Sequence, residues 1–235
     1  MKYQWILFDA DETLFHFDNF AGLTHMFSRH EVNFGQLDFD EYQALNKPLW
    51  VEYQNGNITA EQLQTRRFQR WSDKLAISAK ELNKQFLDSM AEICKALPGA
   101  LELIMHLHEN NVKMGIITNG FAQLQQVRLE RTGFLPYFSP VVISELVGVA
   151  KPHANIFQDA LNKMNNPNKK SVLMVGDTLE SDILGGNNFG FDTCWLNHHG
   201  KSHPIEITPT HQVKALSDLL AWLKSHQTTQ KELGL

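Results

Sequence analysis

Residues 5–15 have the sequence WILFDADETLF, in which four apolar residues run directly into Asp9, Asp11 and Thr13. A short apolar run rich in aromatic and β-branched side chains predicts a buried strand of a parallel sheet. Asp9 and Asp11 are two residues apart, so their carboxylates point to the same side if the extended geometry continues. Two carboxylates at the end of a buried strand are costly unless a cation or hydrogen bonds compensate them. Taken alone, the stretch also fits a strand followed by an acidic turn.

Three later stretches place polar residues beside apolar runs in the same way. Thr118 closes VKMGIIT, Lys151-Pro152 follows VVISELVGVA, and Gly176-Asp177-Thr178 follows SVLMV with Ser181-Asp182 behind it. Together with DADET, these stretches resemble, in the same order, the motifs of the haloacid dehalogenase (HAD) superfamily phosphatases. Four motifs in sequence form a strong signal, and the resemblance covers essentially the whole chain.

The composition limits the class of protein and its partners. At 235 residues the chain can bury a substantial core, as one domain with a large insertion or as two modest domains. A net charge of −5 lacks the basic face that duplex nucleic acid requires, so we expect no nucleic acid polymer as partner. A small phosphorylated molecule remains a candidate, because the local charge in a cleft matters more than the total.

The cysteines and the N-terminal residues indicate the cellular compartment. Cys94 and Cys194 suggest no disulfide framework and fit free thiols in a reducing cytosol. The N-terminus has Lys2 but only four apolar residues before Asp9, which is too short for a signal peptide. Because no run approaches the roughly 18 apolar residues that span a bilayer, we expect a cytoplasmic protein with no membrane contact. The oligomeric state stays open.

Residues 16 to about 96 contain several helical patterns and no convincing strand. Helices are predicted over 19–30 and over 39–53, with Pro48 as a kink or break in the second. Thr59 with Gln62 forms a capping box that opens a helix through Trp71, and Ser78 opens another that runs to about Lys95. The aromatic residues of this region are predicted mostly to fill a core of its own.

From residue 112 onward, predicted strands alternate with helices, which favours parallel βαβ units in a doubly wound sheet. The predicted strands cover residues 112–118, 140–144, 171–175 and 191–196, and the last helix covers 216 to about 225. Ligands bind such sheets outside the carboxyl ends of the strands. Asp9, Thr118 and Asp177 each end a predicted strand and Lys151 follows another, so we expect these side chains to converge.

The predicted fold class is therefore α/β, with a doubly wound, Rossmann-like parallel sheet and an all-helical cap insertion. Residues 1–17 and 96–235 form the predicted catalytic core, and residues 18–95 form the predicted cap domain. The insertion emerges from the edge where the motifs converge, so it can act as a lid. This layout matches the HAD members with an all-helical cap between the first and second motifs.

The resemblance implies an Mg²⁺-dependent phosphomonoesterase, with Mn²⁺ able to substitute. Asp9 would be the nucleophile that forms an aspartyl-phosphate, and Asp11 would protonate the leaving oxygen and then activate water. The metal would be held by the Asp9 carboxylate, the Asp11 backbone carbonyl and Asp177, with Asp182 as a ligand or as a support for the ligands. Hard oxygen ligands favour Mg²⁺ over zinc.

The resemblance also assigns a phosphate-binding set that consists of Thr118, Asn119, Gly120 and Lys151. With Asp11 protonated, the other three carboxylates and the phosphate carry about −5, of which Mg²⁺ offsets only two. An ammonium group at Lys151 is therefore electrostatically required. Thr118 with the two residues after it would hold phosphate oxygens through hydroxyl and backbone N–H groups.

Purely structural roles are the alternatives for several of these residues. Asp177-Thr178 also fits an Asx-turn that caps a helix, and Asp182 fits an acid in the first helical turn. Lys151-Pro152 and Thr118-Asn119-Gly120, each taken alone, fit ordinary loops. Four histidines could suggest zinc, but their spacing fits no regular tetrahedral pattern; they are His198, His199, His203 and His211.

Two other functions are weighed against phosphatase activity. The dehalogenase members of the superfamily lack the second aspartate because a halide leaves without a proton, so Asp11 favours phosphate esters. A phosphoacceptor receiver domain would be a switch rather than an enzyme. Receivers are about half this length, lack a helical insertion and place their Lys-Pro last, whereas Gly176-Asp177 follows Lys151 here.

The substrate prediction depends on similarity alone. Residues 46–50 (NKPLW), 51–59 (VEYQNGNIT) and 118–121 (TNGF) resemble the bacterial pyrimidine 5′-nucleotidases, which dephosphorylate nucleoside monophosphates. An aromatic lid is compatible with stacking of a base, although aromatic residues also fill cap cores. Sugar-phosphate and phosphoglycolate phosphatases of the same superfamily are the alternatives.

Overall fold

Parallel strands form one six-stranded sheet in the computed structural model, which describes residues 2–202 and 204–232. The order across the sheet is β3-β2-β1-β4-β5-β6, which confirms the predicted doubly wound topology. The short strand β6 was not predicted, because three partly exposed residues carry no strong apolar pattern. The strands are β1 (Trp5–Phe8), β2 (Lys113–Thr118), β3 (Phe138–Ile143), β4 (Val172–Gly176), β5 (Asp192–Leu196) and β6 (His211–Val213).

Both faces of the sheet are covered, which explains why β1 is continuously apolar. Ile6 and Phe8 pack on one face with helices α6 (Ala100–Glu109) and α11 (Leu216–Glu232). Trp5 and Leu7 pack on the other face with α9 (Ala154–Lys163). Each fully buried apolar side chain contributes on the order of 1.5–3 kcal/mol. The central strand is therefore held firmly from two sides just before Asp9.

The remaining core helices connect the strands. They are α7 (Ala122–Thr132), α8 (Ser144–Val147) and α10 (Leu184–Phe189), and a π-helical turn over Leu179–Ile183 precedes α10. Gly133 ends α7 with a positive φ of 73°, as its position after the helix predicted. The short helix α8 was not predicted, and it lies between β3 and Lys151.

The regular secondary structure of the insertion is helical, as predicted, and turns and loops connect its helices. Its helices are α1 (Asn19–Ser28), α2 (Gln36–Gln54), α3 (Ala60–Arg66), α4 (Gln69–Leu75) and α5 (Ala79–Ile93). The predicted capping box is present, since the Thr59 N–H donates to Gln62 Oε1 at 2.9 Å and the Gln62 N–H donates to Thr59 Oγ1 at 3.2 Å. Ser78 caps α5 by accepting from the Glu81 N–H.

The structure excludes a break at Pro48, one of the two predicted alternatives, and shows that a second helix prediction is wrong. Helix α2 continues through Pro48 and does not break there, because Leu49 and Tyr53 beyond it are buried in the core of the cap. The single helix predicted from Thr59 to Trp71 is two helices, separated at Arg67 and Phe68. Both of these side chains are buried, so tertiary packing overrides the local helical pattern.

The cap leaves and returns to the core through two adjacent segments. The His16 N–H donates to the Lys95 carbonyl at 2.9 Å, and the Leu97 N–H donates to the Leu14 carbonyl at 2.8 Å. Phe15 lies between Leu14 and His16, and its side chain is buried in the core of the sheet domain. The two connections are thus hydrogen-bonded to each other directly after the first motif.

The cap has its own aromatic core and also contacts the catalytic core. Phe27 stacks on Phe34 with ring centroids 4.8 Å apart, and the ring of Trp71 lies 4.3 Å from that of Phe27. Phe121 and Leu124 of the catalytic core join the same apolar cluster. The cap therefore rests on residues that directly follow Thr118-Asn119-Gly120.

The C-terminal helix is longer than predicted. Helix α11 continues to Glu232, whereas the apolar pattern predicted an end near Ser225 and a frayed polar tail to Leu235. Residues 233–235 lie outside the described residues. None of the described helices combines the length and the apolar character that a bilayer crossing needs.

Candidate active site

The four motifs meet at the carboxyl edge of the sheet. Asp9, Thr118 and Asp177 follow or end the adjacent strands β1, β2 and β4, as predicted. They line a cavity of about 250 Å³ together with Lys151 and with residues of the cap. The lining residues are Asp9, Asp11, Glu12, Phe17, Asn19, Trp50, Gln54, Arg67, Thr118, Asn119, Gly120, Lys151, Asp177, Thr178 and Ser181.

Lys151 is a buried cation that lines this cavity. Its ammonium nitrogen lies 2.6 Å from Asp9 Oδ1, 2.7 Å from Asp182 Oδ1 and 2.7 Å from the Ile117 carbonyl oxygen. An ammonium group has three N–H donors, and three acceptors are present. The two carboxylates raise the pKa of Lys151 above its usual value and outweigh the opposing effect of burial. Lys151 is therefore held charged.

The backbone of Lys151 is held by the side chain of Asn119. The Asn119 carbonyl oxygen accepts from the Lys151 N–H at 2.7 Å, and the Asn119 amide donates to the Lys151 carbonyl at 3.0 Å. Helix α8 and the residues after it separate Lys151 from the end of β3. The double contact from Asn119 brings this distant loop to the site, a role that the sequence did not reveal.

Asp182 is almost completely buried, and each of its two carboxylate oxygens has a partner. Its Oδ1 contacts the Lys151 ammonium at 2.7 Å, and its Oδ2 accepts from the Thr178 N–H at 3.1 Å. A Cβ on Gly176 would overlap the Asp182 carboxylate, so only glycine allows this side chain to cross the end of β4. Asp182 thus ties the loop after β4 to Lys151.

Asp177 projects from the same loop, and a contact from β5 fixes its backbone. The Trp195 indole N–H donates to the Asp177 carbonyl oxygen at 2.8 Å. The carboxylate has no cation within ion-pair distance among the described residues, although Asp9 and Asp182 lie close by. A carboxyl group in this position is stabilised either by a proton or by a positive charge from outside the chain.

The residues present fit a divalent metal ion. Oxygens of Asp9, Asp177 and Asp182 lie within 4.8 Å of one another. Three carboxylates against one ammonium leave an excess of two negative charges. Burial raises the pKa of Asp9 to about 7 and that of Asp177 to about 8, and repulsion between the carboxylates adds to both shifts. Hard oxygen ligands with an excess negative charge suit Mg²⁺.

Thr118 and Gly120 form a tight turn beside the carboxylates. Thr118 is buried at the end of β2, and its hydroxyl oxygen accepts from the Gly120 N–H at 3.0 Å. A Cβ on Gly120 would lie 2.5 Å from Gln125 Nε2, so a larger residue here would require the Gln125 side chain to move. Thr118, Asn119 and Gly120 all line the cavity.

Asp11 has a partner that sequence reasoning missed. Its Oδ1 lies 2.5 Å from Arg128 Nη1, and the Arg128 side chain is 1% exposed. Gln125 accepts from Arg128 Nε at 2.9 Å, and the guanidinium lies over the ring of Phe15 at 4.6 Å. Gln125 Nε2 and Arg128 Nη2 are buried and have no acceptor among the described residues. A basic residue ten positions after Thr118 gives no signal by itself.

The cap lines the cavity with residues of a different kind. Trp50 is aromatic, Asn19 and Gln54 carry amides, and Arg67 carries a buried guanidinium; Phe17, directly before the cap, adds a second aromatic ring. The Trp50 ring lies 5.4 Å from the ring of Phe121, which follows Gly120 directly. Helical periodicity did not single out Asn19, Trp50 and Gln54, because they share helices α1 and α2 with residues of the cap core.

Among the described residues, no histidine of the C-terminal third belongs to a group that could hold a metal ion. The ring of His198 contacts the Glu12 carbonyl oxygen at 2.9 Å, and the ring of His211 lies 3.8 Å from that of Trp222. His203 lies outside the described residues. Cys94 and Cys194 are free thiols, of which Cys194 is buried in β5.

Relatives with established names match nearly the whole chain. The pyrimidine 5′-nucleotidase YjjG of Escherichia coli strain K12 is 56% identical over 96% of this chain and 100% of its own length. The pyrimidine 5′-nucleotidase PynA of Streptococcus pneumoniae is 34% identical over 94% of each chain.

A solved structure and a family model agree with these relatives. The HAD-hydrolase YfnB of Bacillus subtilis, solved with bound magnesium, superposes with a TM-score of 0.81 at 27% identity and covers 95% of this chain and 99% of its own. The family model for haloacid dehalogenase-like hydrolases matches residues 3–190. With the motifs assembled at one sheet edge beneath a helical cap, this chain belongs to the haloacid dehalogenase-like hydrolases.

Proposed function

We propose that this protein is an Mg²⁺-dependent 5′-nucleotidase that hydrolyses pyrimidine nucleoside 5′-monophosphates to nucleoside and phosphate. The observation that carries the proposal is the buried cluster of Asp9, Asp177, Asp182 and Lys151, which suits a metal ion and a phosphate dianion. The names of the E. coli and S. pneumoniae relatives support the choice of nucleotide.

The metal ion, when bound, supplies positive charge that lets a carboxylate approach the phosphate dianion. Asp9 and Asp177, with the backbone carbonyl of Asp11, would hold Mg²⁺, and Mn²⁺ would substitute. Asp182 would support the site, because Lys151 and the Thr178 N–H already engage its two oxygens.

Asp9 would act as the nucleophile. Lys151 holds Oδ1, which leaves Oδ2 to attack phosphorus in line with the leaving oxygen. A bond forms between Oδ2 and phosphorus while the bond to the ester oxygen breaks, which gives an aspartyl-phosphate. Water then attacks this phosphorus, releases phosphate and restores the carboxylate. Positioning and electrostatic stabilisation provide most of the rate of such transfers.

Asp11 would move the protons. In its protonated form it gives a proton to the departing ester oxygen, and as a carboxylate it then removes a proton from the attacking water. In the structure its Oδ1 is held by Arg128, which fixes where this carboxyl group sits beside the cavity. We therefore assign Arg128 as a positioning residue for Asp11.

Thr118, Asn119, Gly120 and Lys151 would bind the transferring phosphate. The Thr118 hydroxyl and the backbone N–H groups of the turn donate to phosphate oxygens, and the Lys151 ammonium offsets their charge. The Asn119 side chain would act indirectly, since it is occupied in holding the Lys151 backbone. Thr118, Gly120 and Lys151 would thus contact the phosphate, whereas the Asn119 side chain would position Lys151.

Residues 18–95 would act as a cap domain on a core of residues 1–17 and 96–235. The core contacts are the same for any phosphate monoester, so the cap would contact the variable part of the substrate. We place the enzyme in the cytoplasm with a free small-molecule substrate; its two free thiols support a reducing compartment.

The deciding measurement is kcat/KM for UMP, dTMP, AMP, ribose 5-phosphate and phosphoglycolate at fixed Mg²⁺ concentration and pH. We expect UMP and dTMP to lead by roughly tenfold or better, since stacking of one base on an aromatic side chain alone contributes about that factor. AMP should be slower if the closed cap is sized for one ring. A tenfold lead for either non-nucleotide ester would replace this proposal with a sugar-phosphate or phosphoglycolate phosphatase, and absence of turnover would favour a phosphoacceptor switch.

A further inference from the structure

Arg67 is a buried cation in the cap whose contacts are all uncharged. Its side chain is 4% exposed, and its Nε donates to Asn83 Oδ1 at 3.0 Å, with Nη2 donating to the same oxygen. It also bonds the hydroxyl of Tyr42, and burial lowers the pKa of the guanidinium. No carboxylate of the described residues forms an ion pair with it. A buried charge without a counter-charge is costly, so its retention calls for an explanation.

Aromatic rings compensate part of this charge. The guanidinium carbon lies 5.4 Å, 5.0 Å and 5.2 Å from the ring centroids of Phe68, Phe86 and Phe121. Cation–π contacts at such distances stabilise a desolvated guanidinium. Packing therefore accounts for the presence of a cation here, but it leaves the guanidinium without a strong acceptor on the side of the cavity.

The position of Arg67 links it to the substrate. Arg67 lines the same cavity as Asp9, Thr118 and Lys151. Phe121, which the guanidinium contacts, is the residue directly after Gly120, and the ring of Trp50 lies 5.4 Å from that of Phe121. A substrate with its phosphate at Thr118 and Lys151 would thus place its leaving group within this cavity, beside Trp50 and Arg67.

We propose that Arg67 is a specificity-determining residue that donates a hydrogen bond to a carbonyl oxygen of a pyrimidine base, with Trp50 beside it as the stacking surface. The inference rests on the proposed nucleotidase function and deepens it. A guanidinium has donors only and cannot accept from an amino group, so it selects the oxygen-bearing edge of the ring.

The environment of Arg67 favours a neutral carbonyl over a carboxylate as its partner. Asn83, Tyr42 and three rings already surround the guanidinium, so its two remaining N–H donors require a polarised acceptor rather than a full counter-charge. A flat ring also fits beside the indole of Trp50, whereas a short carboxylate such as that of phosphoglycolate would leave the aromatic surface uncovered.

The test compares Arg67→Met and Arg67→Lys with the wild type, and Arg66→Met serves as the matched control. Arg66 is the exposed neighbour at the end of α3 and does not line the cavity. The readout is the ratio of kcat/KM for UMP to that for ribose 5-phosphate, which lacks the base. Hydrogen bonds to charged groups predict a fall of about tenfold to a hundredfold in this ratio for Arg67→Met, mostly through KM. Arg67→Lys should retain only part of the wild-type ratio, and Arg66→Met should leave the ratio unchanged.

Inhibition by uridine supplies a second measurement without phosphate. Its inhibition constant should rise in Arg67→Met and in Arg67→Lys by about the same factor as the ratio falls. If Arg67→Met does not fold, the inhibition constant of uridine for Arg67→Lys tests the inference by itself. Lysine keeps the positive charge but lacks the planar set of guanidinium donors. CMP locates the oxygen: an equal loss on UMP and CMP indicates O2, which both bases share, and a loss confined to UMP indicates O4.

Two different results separate this inference from the proposed function. If the wild type prefers UMP to ribose 5-phosphate and both Arg67 variants keep that preference, the inference is wrong while the nucleotidase function stands. If the wild type shows no preference for UMP, the nucleotidase proposal itself fails. If the variants instead lose activity selectively on phosphoglycolate, Arg67 binds a carboxylate and not a base.

Discussion

The core side and the cap side of the cavity offer different kinds of contact to a ligand. On the core side, Lys151, Asp9 and Asp182 form short charged contacts of 2.6 Å and 2.7 Å within a buried cluster. On the cap side, aromatic rings and amides surround one guanidinium that has only uncharged partners. The core side is therefore suited to a small, highly charged group, and the cap side to a flat and largely uncharged one.

This difference teaches which side decides rate and which decides selectivity. Charged groups in a buried site act strongly on the transition state of phosphoryl transfer, because the low dielectric strengthens every electrostatic contact. Stacking and single hydrogen bonds change the binding of the leaving group by smaller amounts. We expect substitutions on the core side to lower turnover of all esters, and substitutions on the cap side to change their ranking.

The largest effect is expected for Asp9→Asn. The amide has nearly the same shape but is not nucleophilic, so turnover of every ester should fall by about 10⁴-fold or more. Circular dichroism should show an unchanged fold, and Asp40→Asn on the exposed surface of α2 is the matched control. Near-normal kcat in Asp9→Asn would rule out the covalent intermediate.

Removal of the metal tests the core side as a whole. Excess chelator should reduce turnover of UMP and of ribose 5-phosphate alike, by about a hundredfold or more, because the carboxylates then repel the phosphate dianion. Added Mg²⁺ or Mn²⁺ should restore both activities. Full activity in chelator would show that Asp9 and Asp177 do not act through a metal ion.

Asp11→Asn should lower kcat by about 10²- to 10⁴-fold for UMP, since the leaving alkoxide then departs without a proton. The loss should be much smaller for p-nitrophenyl phosphate, whose leaving group is already acidic. Arg128→Gln should show the same dependence on the leaving group with a smaller loss, because it acts through Asp11. Equal losses on both esters would contradict the proton-transfer role.

Trp50→Ala should leave the core side intact and change selectivity. Loss of one stacking surface is worth about 1–3 kcal/mol, so the ratio of kcat/KM for UMP to ribose 5-phosphate should fall by roughly tenfold or more. Trp50→Phe keeps an aromatic ring and should restore most of the ratio. An unchanged ratio in Trp50→Ala would mean that the base contacts another part of the cap.

The smallest effect concerns the stability of the metal-free protein. The folded-state pKa values of Asp9 and Asp177 are raised, to about 7 and about 8, so the folded state binds protons more tightly than the unfolded state. Their contribution to the free energy of unfolding is therefore largest at low pH and is lost as the pH rises through these values. In chelator, Tm should fall by a few degrees between pH 5.5 and pH 8.5.

Two comparisons test the origin of this pH dependence. Asp177→Asn should flatten the dependence in chelator, because one of the titrating carboxylates is gone. Added Mg²⁺ should raise the Tm of the wild type more at pH 8.5 than at pH 5.5, since it binds the ionised carboxylates. The same slope in Asp177→Asn and the wild type would assign the pH dependence to other groups.

Short-range pattern was enough to predict the catalytic ends of the strands. The apolar run before Asp9 and the similar runs before Thr118 and Asp177 predicted buried strands, and parallel strands bring their carboxyl ends to one edge. The pattern failed where packing overrode local preference, as at the division between α3 and α4. Helix propensity is a weak preference there, and burial of Arg67 and Phe68 outweighs it.

The sequence by itself determined the doubly wound sheet and the helical insertion, because both follow from apolar periodicity and from residues close in the chain. The choice of the site carboxylates came from the resemblance of the four motifs to those of the haloacid dehalogenase superfamily. Only the tertiary structure decided the partners of those residues. Arg128 meets Asp11 across 117 positions of sequence, and Asn119 holds Lys151 across 32. Arg67 reaches the cavity because two helices separate beneath it. Contacts between such distant residues depend on how the layers pack, and no local pattern specifies them.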